Sequence, residues 1–287
     1  MVPAAGDKKD LAVVILAAGK GSRMHSKDAK VLHRLADKPL VEHVIHKCKG
    51  LDPTNIIVVV GHQAEAVMAA CNGKNVEFAK QLHQRGTGDA VLAAETHLRE
   101  FSGDILIVCG DVPLLTVETL RRFVKQHQAE GPILSVLTAV LPVPASYGRV
   151  IRRTDGDISR ITESRDASQQ ELAVKEINTG IYCADAQFLY AALHRVKPNN
   201  AQKEYYLTDI VELAVEDQLR VQAVITSNHQ EVEGINSRQE LARMETTRQQ
   251  QLRQQWMEAG VTFEDPNTVY LGEDIHIGKD TIVGPNT

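Results

Sequence analysis

The chain has 287 residues, 43% of them hydrophobic, with a formal net charge of −5. That length admits one large α/β domain or two small ones with a sizeable core, and the acidic balance argues against generic nucleic-acid binding. No apolar run reaches the roughly 20 residues that span a bilayer, and the four cysteines (Cys48, Cys71, Cys109, Cys183) form no CxxC pair, which argues against a zinc ribbon and for a reduced, cytoplasmic setting.

In chain order, residues 1–10 read as a disordered tail. Lys8 and Lys9 mimic the start of a signal peptide, but the apolar run after them is short, and a charged, glycine-bearing turn stands where a cleavage site belongs. Leu11–Leu16 is an apolar strand. It feeds a turn of small residues, Ala17-Ala18-Gly19, followed by the cations Lys20, Arg23 and Lys30. Short side chains let backbone N–H groups approach a ligand, and clustered cations make that ligand anionic, with a nucleoside triphosphate the best fit. The bland alternative is a surface loop with unrelated cations. A dinucleotide site fits poorly: Met24 stands where the third glycine of GxGxxG is needed, with Glu42 as the only candidate ribose acid. No GxxxxGK[S/T] is present.

The alternation continues with a helix over 39–49, a strand over 55–60, a helix over 63–71 and a short strand over 76–78. A helix over 88–99, a strand over 104–109, a helix over 116–129 and a strand over 133–140 follow. Continuous apolar strands alternating with helices predict an α/β fold, its mainly parallel sheet covered on both faces. Residues 141–185 are richer in strand, with Tyr147-Gly148-Arg149 at a turn; a helix over 204–219 and a strand over 222–225 come next. The polar run 237–258 carries Leu241, Met244, Leu252 and Trp256 at helical spacing and predicts a projecting arm helix with a narrow apolar seam. Near the last residue, Ile277-Gly278 and Val283-Gly284 repeat at an interval of six. This is either the opening of a hexapeptide-repeat β-helix, cut or shortened before the three units such stacks need, or a coincidental pair of turns.

Asp111 follows the buried strand and Gly110, at a carboxyl strand end where open parallel sheets bind ligands. Thr116 is the better cap for the next helix, which frees Asp111 to hold a divalent cation. Asn236, after the last strand, is a candidate second oxygen ligand, although turn asparagines are common. Gln81 carries the donor and acceptor that suit the edge of a uracil, and Gly86-Thr87-Gly88 offers a second bare turn; alone, these favour a helix start. His43 and His46 read as surface residues, and no GxSxG elbow supports a serine hydrolase.

These pieces converge. LAAGKGSRMHS with KVLH, QLHQRGTGDA, GDVPLL, YGR, EINTGIY, NAQKEYYLTDI and EVEGIN occur in order. Together they resemble the pyrophosphorylase domain of bacterial bifunctional N-acetylglucosamine-1-phosphate uridylyltransferases, over roughly residues 11–260. The resemblance implies a Rossmann-like nucleotidyltransferase domain over 11–236, an arm helix over 237–260 and, over 261–287, the incomplete start of a left-handed parallel β-helix. It implies transfer of uridylyl from UTP to N-acetylglucosamine 1-phosphate, with Mg²⁺, giving UDP-N-acetylglucosamine for peptidoglycan synthesis. By that similarity Leu16, Ala17, Ala18 and Gly19 cradle phosphates, Gln81, Gly86 and Thr87 bind the uracil, and Arg23 and Lys30 neutralise charge. Asp111 and Asn236 hold Mg²⁺, and Gly148, Glu163, Asn178, Tyr206 and Thr208 position the sugar phosphate.

Two positions depart from the family pattern. Ala29 replaces a proline, which predicts a more mobile Lys30, and Arg165 replaces a lysine, keeping charge but not shape. No acetyltransferase activity and only weak association between copies are expected, because the resemblance assigns both to a β-helix that barely begins. Two other readings stand beside this one: transfer to a different sugar 1-phosphate, and a non-catalytic nucleotide-sugar sensor. Glu163 and Asn178 favour the amino sugar, and the joint presence of Arg23, Lys30, Asp111 and Asn236 speaks for catalysis.

Overall fold

The computed structural model describes residues 9–287. Most of the tail expected over 1–10 lies outside them. Lys9 and Asp10 are tied down: Lys9 Nζ lies 3.4 Å from Asp104 Oδ1 and 3.3 Å from Asp185 Oδ2, and the Asp10 carbonyl accepts from Asp104 N.

The chain opens with β1 (Leu11–Ala17), a two-residue hairpin of β2 (Arg34–Leu35) and β3 (Lys38–Pro39), α1 (Leu40–Lys49), β4 (Asn55–Val60), α2 (Ala64–Ala70), β5 (Glu77–Lys80) and α3 (Thr87–Leu92). Then come β6 (Asp104–Cys109), α4 (Val117–Glu130), β7 (Leu134–Val140), β8 (Arg149–Arg152), β9 (Ile158–Thr162), α5 (Gln169–Leu172), β10 (Glu176–Asp185) and α6 (Ala186–Leu193). The last elements are α7 (Asp209–Glu216), β11 (Val221–Ile225), α8 (Arg238–Glu258), β12 (Thr262–Phe263) and β13 (Ile282–Val283).

The main sheet has the order β11-β7-β10-β6-β1-β4-β5, with the β8–β9 hairpin attached to β10. β1 pairs in parallel with β4 and β6, placing Val14 level with Ile57 and Ile107. Successive strand residues face opposite sides. Val14, Ile57 and Ile107 therefore join one core with the apolar faces of α3, α6 and α7, while Val13, Ile15, Val58 and Val108 join another under α1, α2 and α4. Helices on both faces explain why these strands are apolar throughout. The sheet is mainly parallel, as expected, but β10 runs antiparallel to both β6 and β7.

Three helical expectations need correction. The helix predicted over 88–99 ends at Leu92, followed by a 3-10 turn at Glu95–His97. The helix predicted over 204–219 is α7 alone. Residues 205–207 instead bond to the turn before α3: Tyr205 N to Arg85 O at 2.7 Å, Gly88 N to Tyr205 O at 2.8 Å and Leu207 N to Thr87 Oγ1 at 3.0 Å. The third is α8, which does not project freely. Met244 packs with Met24, Leu35, Leu40 and Ile235 of the domain, and Leu252 packs with Val261, Phe263, Val269 and Leu271. The seam is narrow because each half of it covers a small separate cluster. Beyond α8, β12 and β13 form an isolated parallel pair.

His43 is also not a surface residue: it is buried, with Nε2 2.9 Å from Leu35 O, whereas His46 is exposed. Thr116 does cap α4, its Oγ1 accepting from Thr119 N at 3.2 Å.

Gly86, at φ 119°, permits the close approach of the 205–207 segment: a Cβ there would lie 2.4 Å from Tyr205 O. Gly86→Ala is expected to lower unfolding free energy by about 1–3 kcal/mol through backbone displacement, read from urea denaturation midpoints.

Candidate active site

The turn after β1 is placed by backbone bonds. Gly110 N donates to Leu16 O at 2.9 Å and His62 N to Ala18 O at 3.1 Å, so Ala17 to Gly21 crosses the carboxyl ends of β1, β4 and β6. Among the described residues, the N–H groups of Gly19, Lys20 and Gly21 find no acceptor. Gly21 has φ 61°, and a Cβ on it would lie 2.5 Å from Lys30 Cβ; the bare glycine lets the two strands of the loop touch. Of the three cations, Lys20 and Arg23 are exposed, although Arg23 reaches across to Asn236, and Lys30 is half-buried.

Lys30 is not loose. Ala29 has φ −57°, near the value a proline ring would impose, and its N–H donates to Gln63 Oε1 at 2.7 Å. Proline lacks that donor. The mobility expected from Ala29 is therefore offset by Gln63, whose amide also donates to the Lys27 carbonyl.

Arg23, Lys30, Asp111 and Asn236 meet in one knot. Lys30 Nζ bonds Asp111 Oδ2 and lies 3.0 Å from Asn236 Oδ1, which also accepts from Arg23 Nη2 at 3.0 Å. Asp111 is held by its carbonyl, which accepts from Ile235 N at 2.9 Å. Asn236 is aimed by the start of α8: Glu240, partner of Ser237 in a capping box, accepts from Asn236 N at 2.7 Å. Two hard oxygen donors thus converge on a single cation, the ammonium of Lys30. No group of three or more His, Cys, Asp or Glu suited to a metal occurs among the described residues. Asp111 and Asn236 fit an ion that takes one or two protein ligands and completes its shell with phosphate oxygens and water, which is the habit of Mg²⁺.

A cavity of about 210 Å³ opens beside this knot, lined by Arg23, Asp111 and Asn236 on one side and by Gly148, Glu163 and Asn178 on the other. Asn178 stands at a β-bulge in β10, where Gly180 takes φ 79° and the register shifts between Asn178 and Ile181. Its N–H donates to Gly148 O at 2.9 Å, and a Cβ on Gly148 would lie 3.4 Å from Glu163 Oε1, so the three stand together. Burial, reinforced by Asp166, Asp209 and Glu204, pushes the Glu163 carboxyl up to about 7. Burial and Glu212 raise Asp209 to about 6.

The remaining expected residues lie further off. Tyr206 lines a second cavity of about 480 Å³ that shares the Glu163 wall. Its hydroxyl accepts from Gln202 Nε2 at 2.9 Å and lies 3.3 Å from Asp166 Oδ2. Thr208 is buried, and its hydroxyl has no partner among the described residues. Neither lines the first cavity. Gln81 spends its amide hydrogens on Gly86 O (3.1 Å) and Asp89 Oδ2 (2.8 Å), which leaves its amide oxygen as the acceptor on offer. The Thr87 hydroxyl is taken by Leu207 N, so that turn is braced before any ligand arrives.

Sequence reasoning passed over several of these supports. Tyr147, whose hydroxyl accepts from Gly234 N at 3.1 Å, sits inside the quoted YGR. Asp209 sits inside the quoted LTDI, while Gln63 carries no sequence signal at all.

The profile of the MobA-like NTP transferase domain matches residues 13–165. The bifunctional protein GlmU of Exiguobacterium sibiricum is 46% identical over 274 residues, 96% of this chain and 61% of that protein. Those of Shouchella clausii and Bacillus velezensis are each 43% identical over 96% of this chain and 60% of their own length. The chain thus spans about three fifths of the length of these relatives. A UDP-glucose pyrophosphorylase, crystallised with UDP-glucose, superposes with a TM-score of 0.68 over 84% of this chain and 99% of its own, at 15% identity. That likeness is one of fold.

Glu163 binds its proton more tightly in the folded chain than in the unfolded one. Its contribution to stability is therefore full below about 4.5 and is lost as pH rises through about 7. Glu163→Gln is expected to flatten the fall in stability between pH 5 and pH 8, with a residual slope from Asp209. Urea midpoints across that range measure it, and an unchanged slope would contradict the assignment.

Proposed function

The chain belongs to the MobA-like NTP transferase domain family, and from that premise we propose that it transfers uridylyl from UTP to N-acetylglucosamine 1-phosphate and releases pyrophosphate. One observation carries this reading: a single cavity joins the Arg23–Lys30–Asp111–Asn236 knot to the Gly148–Glu163–Asn178 wall. One side suits a triphosphate and the other a polar sugar. The ordered motifs, and 46% identity to a GlmU protein across 96% of the chain, support the same choice.

In this reading a phosphate oxygen of the sugar 1-phosphate attacks the α-phosphorus of UTP in line. A new P–O bond forms, the α–β bridging P–O bond breaks, and pyrophosphate leaves with the electron pair. The attacking phosphate is already ionised, so no strong base is needed, and catalysis is positioning plus electrostatics. Leu16 to Gly19 and the free N–H groups through Gly21 cradle the phosphates. Arg23 and Lys30 offset charge that builds on the phosphoryl oxygens. The Gln81 amide oxygen accepts from the uracil N3–H, with Gly86 and Thr87 shaping that pocket. Gly148, Glu163 and Asn178 hold the acetamido group and ring hydroxyls, Tyr206 steadies the Glu163 wall through the cavity the two share, and Thr208, next to Asp209, completes the sugar-phosphate side. Asp111 and Asn236 would hold Mg²⁺, which when bound neutralises and orients triphosphate oxygens.

Residues 11–236 form the transferase domain in this proposal and 237–260 the arm helix. Residues 261–287 begin a left-handed β-helix, a reading favoured by the parallel return of Ile282 beside Thr262. We place the enzyme in the cytoplasm; no helix among the described residues is long and apolar enough to cross a membrane.

The test is pyrophosphate release from UTP with Mg²⁺ and either N-acetylglucosamine 1-phosphate or glucose 1-phosphate. Release with the amino sugar alone is expected, and Asp111→Ala is expected to lower it by about 10²-fold or more while unfolding stays cooperative. Release with glucose 1-phosphate alone would keep the chemistry and overturn the sugar. No release with either, despite UTP binding, would favour the sensor.

A further inference from the structure

The Lys30 ammonium occupies the place that the metal reading gives to the divalent ion. It bonds both Asp111 and Asn236, and its side chain is only 18% exposed. An ammonium and a divalent ion cannot both sit on those two oxygens, because like charges at contact distance repel strongly in a half-dry site. We propose that Lys30 is the resident counter-cation of Asp111 and Asn236, that an entering divalent ion displaces it, and that the displacement delivers its ammonium to phosphates on the Gly19–Gly21 turn. The inference rests on the metal reading given above.

The local geometry suits such an exchange. The main chain at Lys30 is fixed: Ala29 N is held by Gln63 at 2.7 Å, Leu32 N by Ala29 O at 2.9 Å and His33 N by Lys30 O at 3.2 Å. Only the four-carbon stem is free to swing, and rotamer changes of such stems take nanoseconds or less. The stem pivots directly against the phosphate turn, because Gly21 leaves just enough room for Lys30 Cβ. Without metal, the ammonium neutralises a carboxylate that is otherwise uncompensated. With metal, the same charge becomes available to the nucleotide. Metal and triphosphate then favour one another's binding, since each takes what the other releases. Arg23 differs: it bonds Asn236 at 3.0 Å and makes no bond to Asp111, so it has no such exchange to make.

Two measurements on the full chain, without nucleotide, test this. Manganese binding is read from the electron paramagnetic resonance of the free ion, for wild type and for Lys30→Met, Arg23→Met and Asp111→Asn. Lys30→Met is expected to tighten binding by about tenfold or more and Arg23→Met by less than about threefold, while Asp111→Asn weakens it. Thermal unfolding confirms that each variant is folded. Trace acetylation of the wild-type protein, read by peptide mass spectrometry, is expected to rise severalfold at Lys30 relative to Lys20 when Mg²⁺ is added. This readout needs no variant. Manganese binding that Asp111→Asn weakens but Lys30→Met does not tighten would overturn the displacement and leave the metal site standing. Equal tightening by Lys30→Met and Arg23→Met would overturn it in favour of a general charge effect, and so would unchanged or reduced acetylation of Lys30. Manganese binding indifferent to Asp111→Asn would overturn the metal site and this proposal together.

Discussion

The N–H of Gly110 donates to the carbonyl of Leu16, one hydrogen bond past the last rung between two neighbouring parallel strands. Because the strands run the same way, their carboxyl ends emerge side by side, and whatever follows each is forced into contact. After β1 comes a turn of bare N–H groups; after β6 comes Asp111. The rest of the site is arranged around that adjacency. Gly21 and Gln63 hold the far limb of the first loop so that Lys30 reaches back to Asp111, and the segment before α8 lies across both. Remove the parallel register and the cation and carboxylate have no reason to meet.

The site is electrically lopsided. One end gathers Arg23 and Lys30; the other gathers Glu163, Asp166, Glu204 and Asp209, close enough for each to hinder ionisation of Glu163. Such a gradient suits a molecule charged at one end and rich in hydroxyls at the other. A β-bulge in β10 shapes the rim between the two ends. Asn178 keeps its rung opposite Thr138 and bonds Gly148, and the extra residues Thr179 and Gly180 then bow out of the ladder before Ile181 rejoins it opposite Leu137.

Legibility from sequence followed burial. β4 and β6 were readable to the residue because parallel strands covered on both faces are unbroken apolar runs. Asp111 was readable because the sheet dictates where a strand end points. Asn236 was weakly readable: more than two hundred residues separate it from Arg23, and only the capping box at Ser237 hints that the residue before it is held. Gln63 was not readable at all, because a surface glutamine that braces a loop through main-chain groups leaves no pattern. α6 was missed because AQFLYAAL is apolar on nearly every side, which erases the helical period. Residues 204–208 misled because their bonds go to a turn more than a hundred positions earlier, a tertiary choice that local propensity does not contain.

The capping box at the start of α8 also couples distant parts of the molecule. Glu240 grips the N–H of Asn236, so the amide facing Lys30 is riveted to the first turn of a 21-residue helix about 30 Å long. The far half of that helix is clamped by Leu252 and Arg253 to the segment that follows it. The near half rests on the domain through Met244, against Met24, Leu35 and Leu40, so the residue that meets Lys30 and the segment trailing the helix are parts of one continuous packed rod.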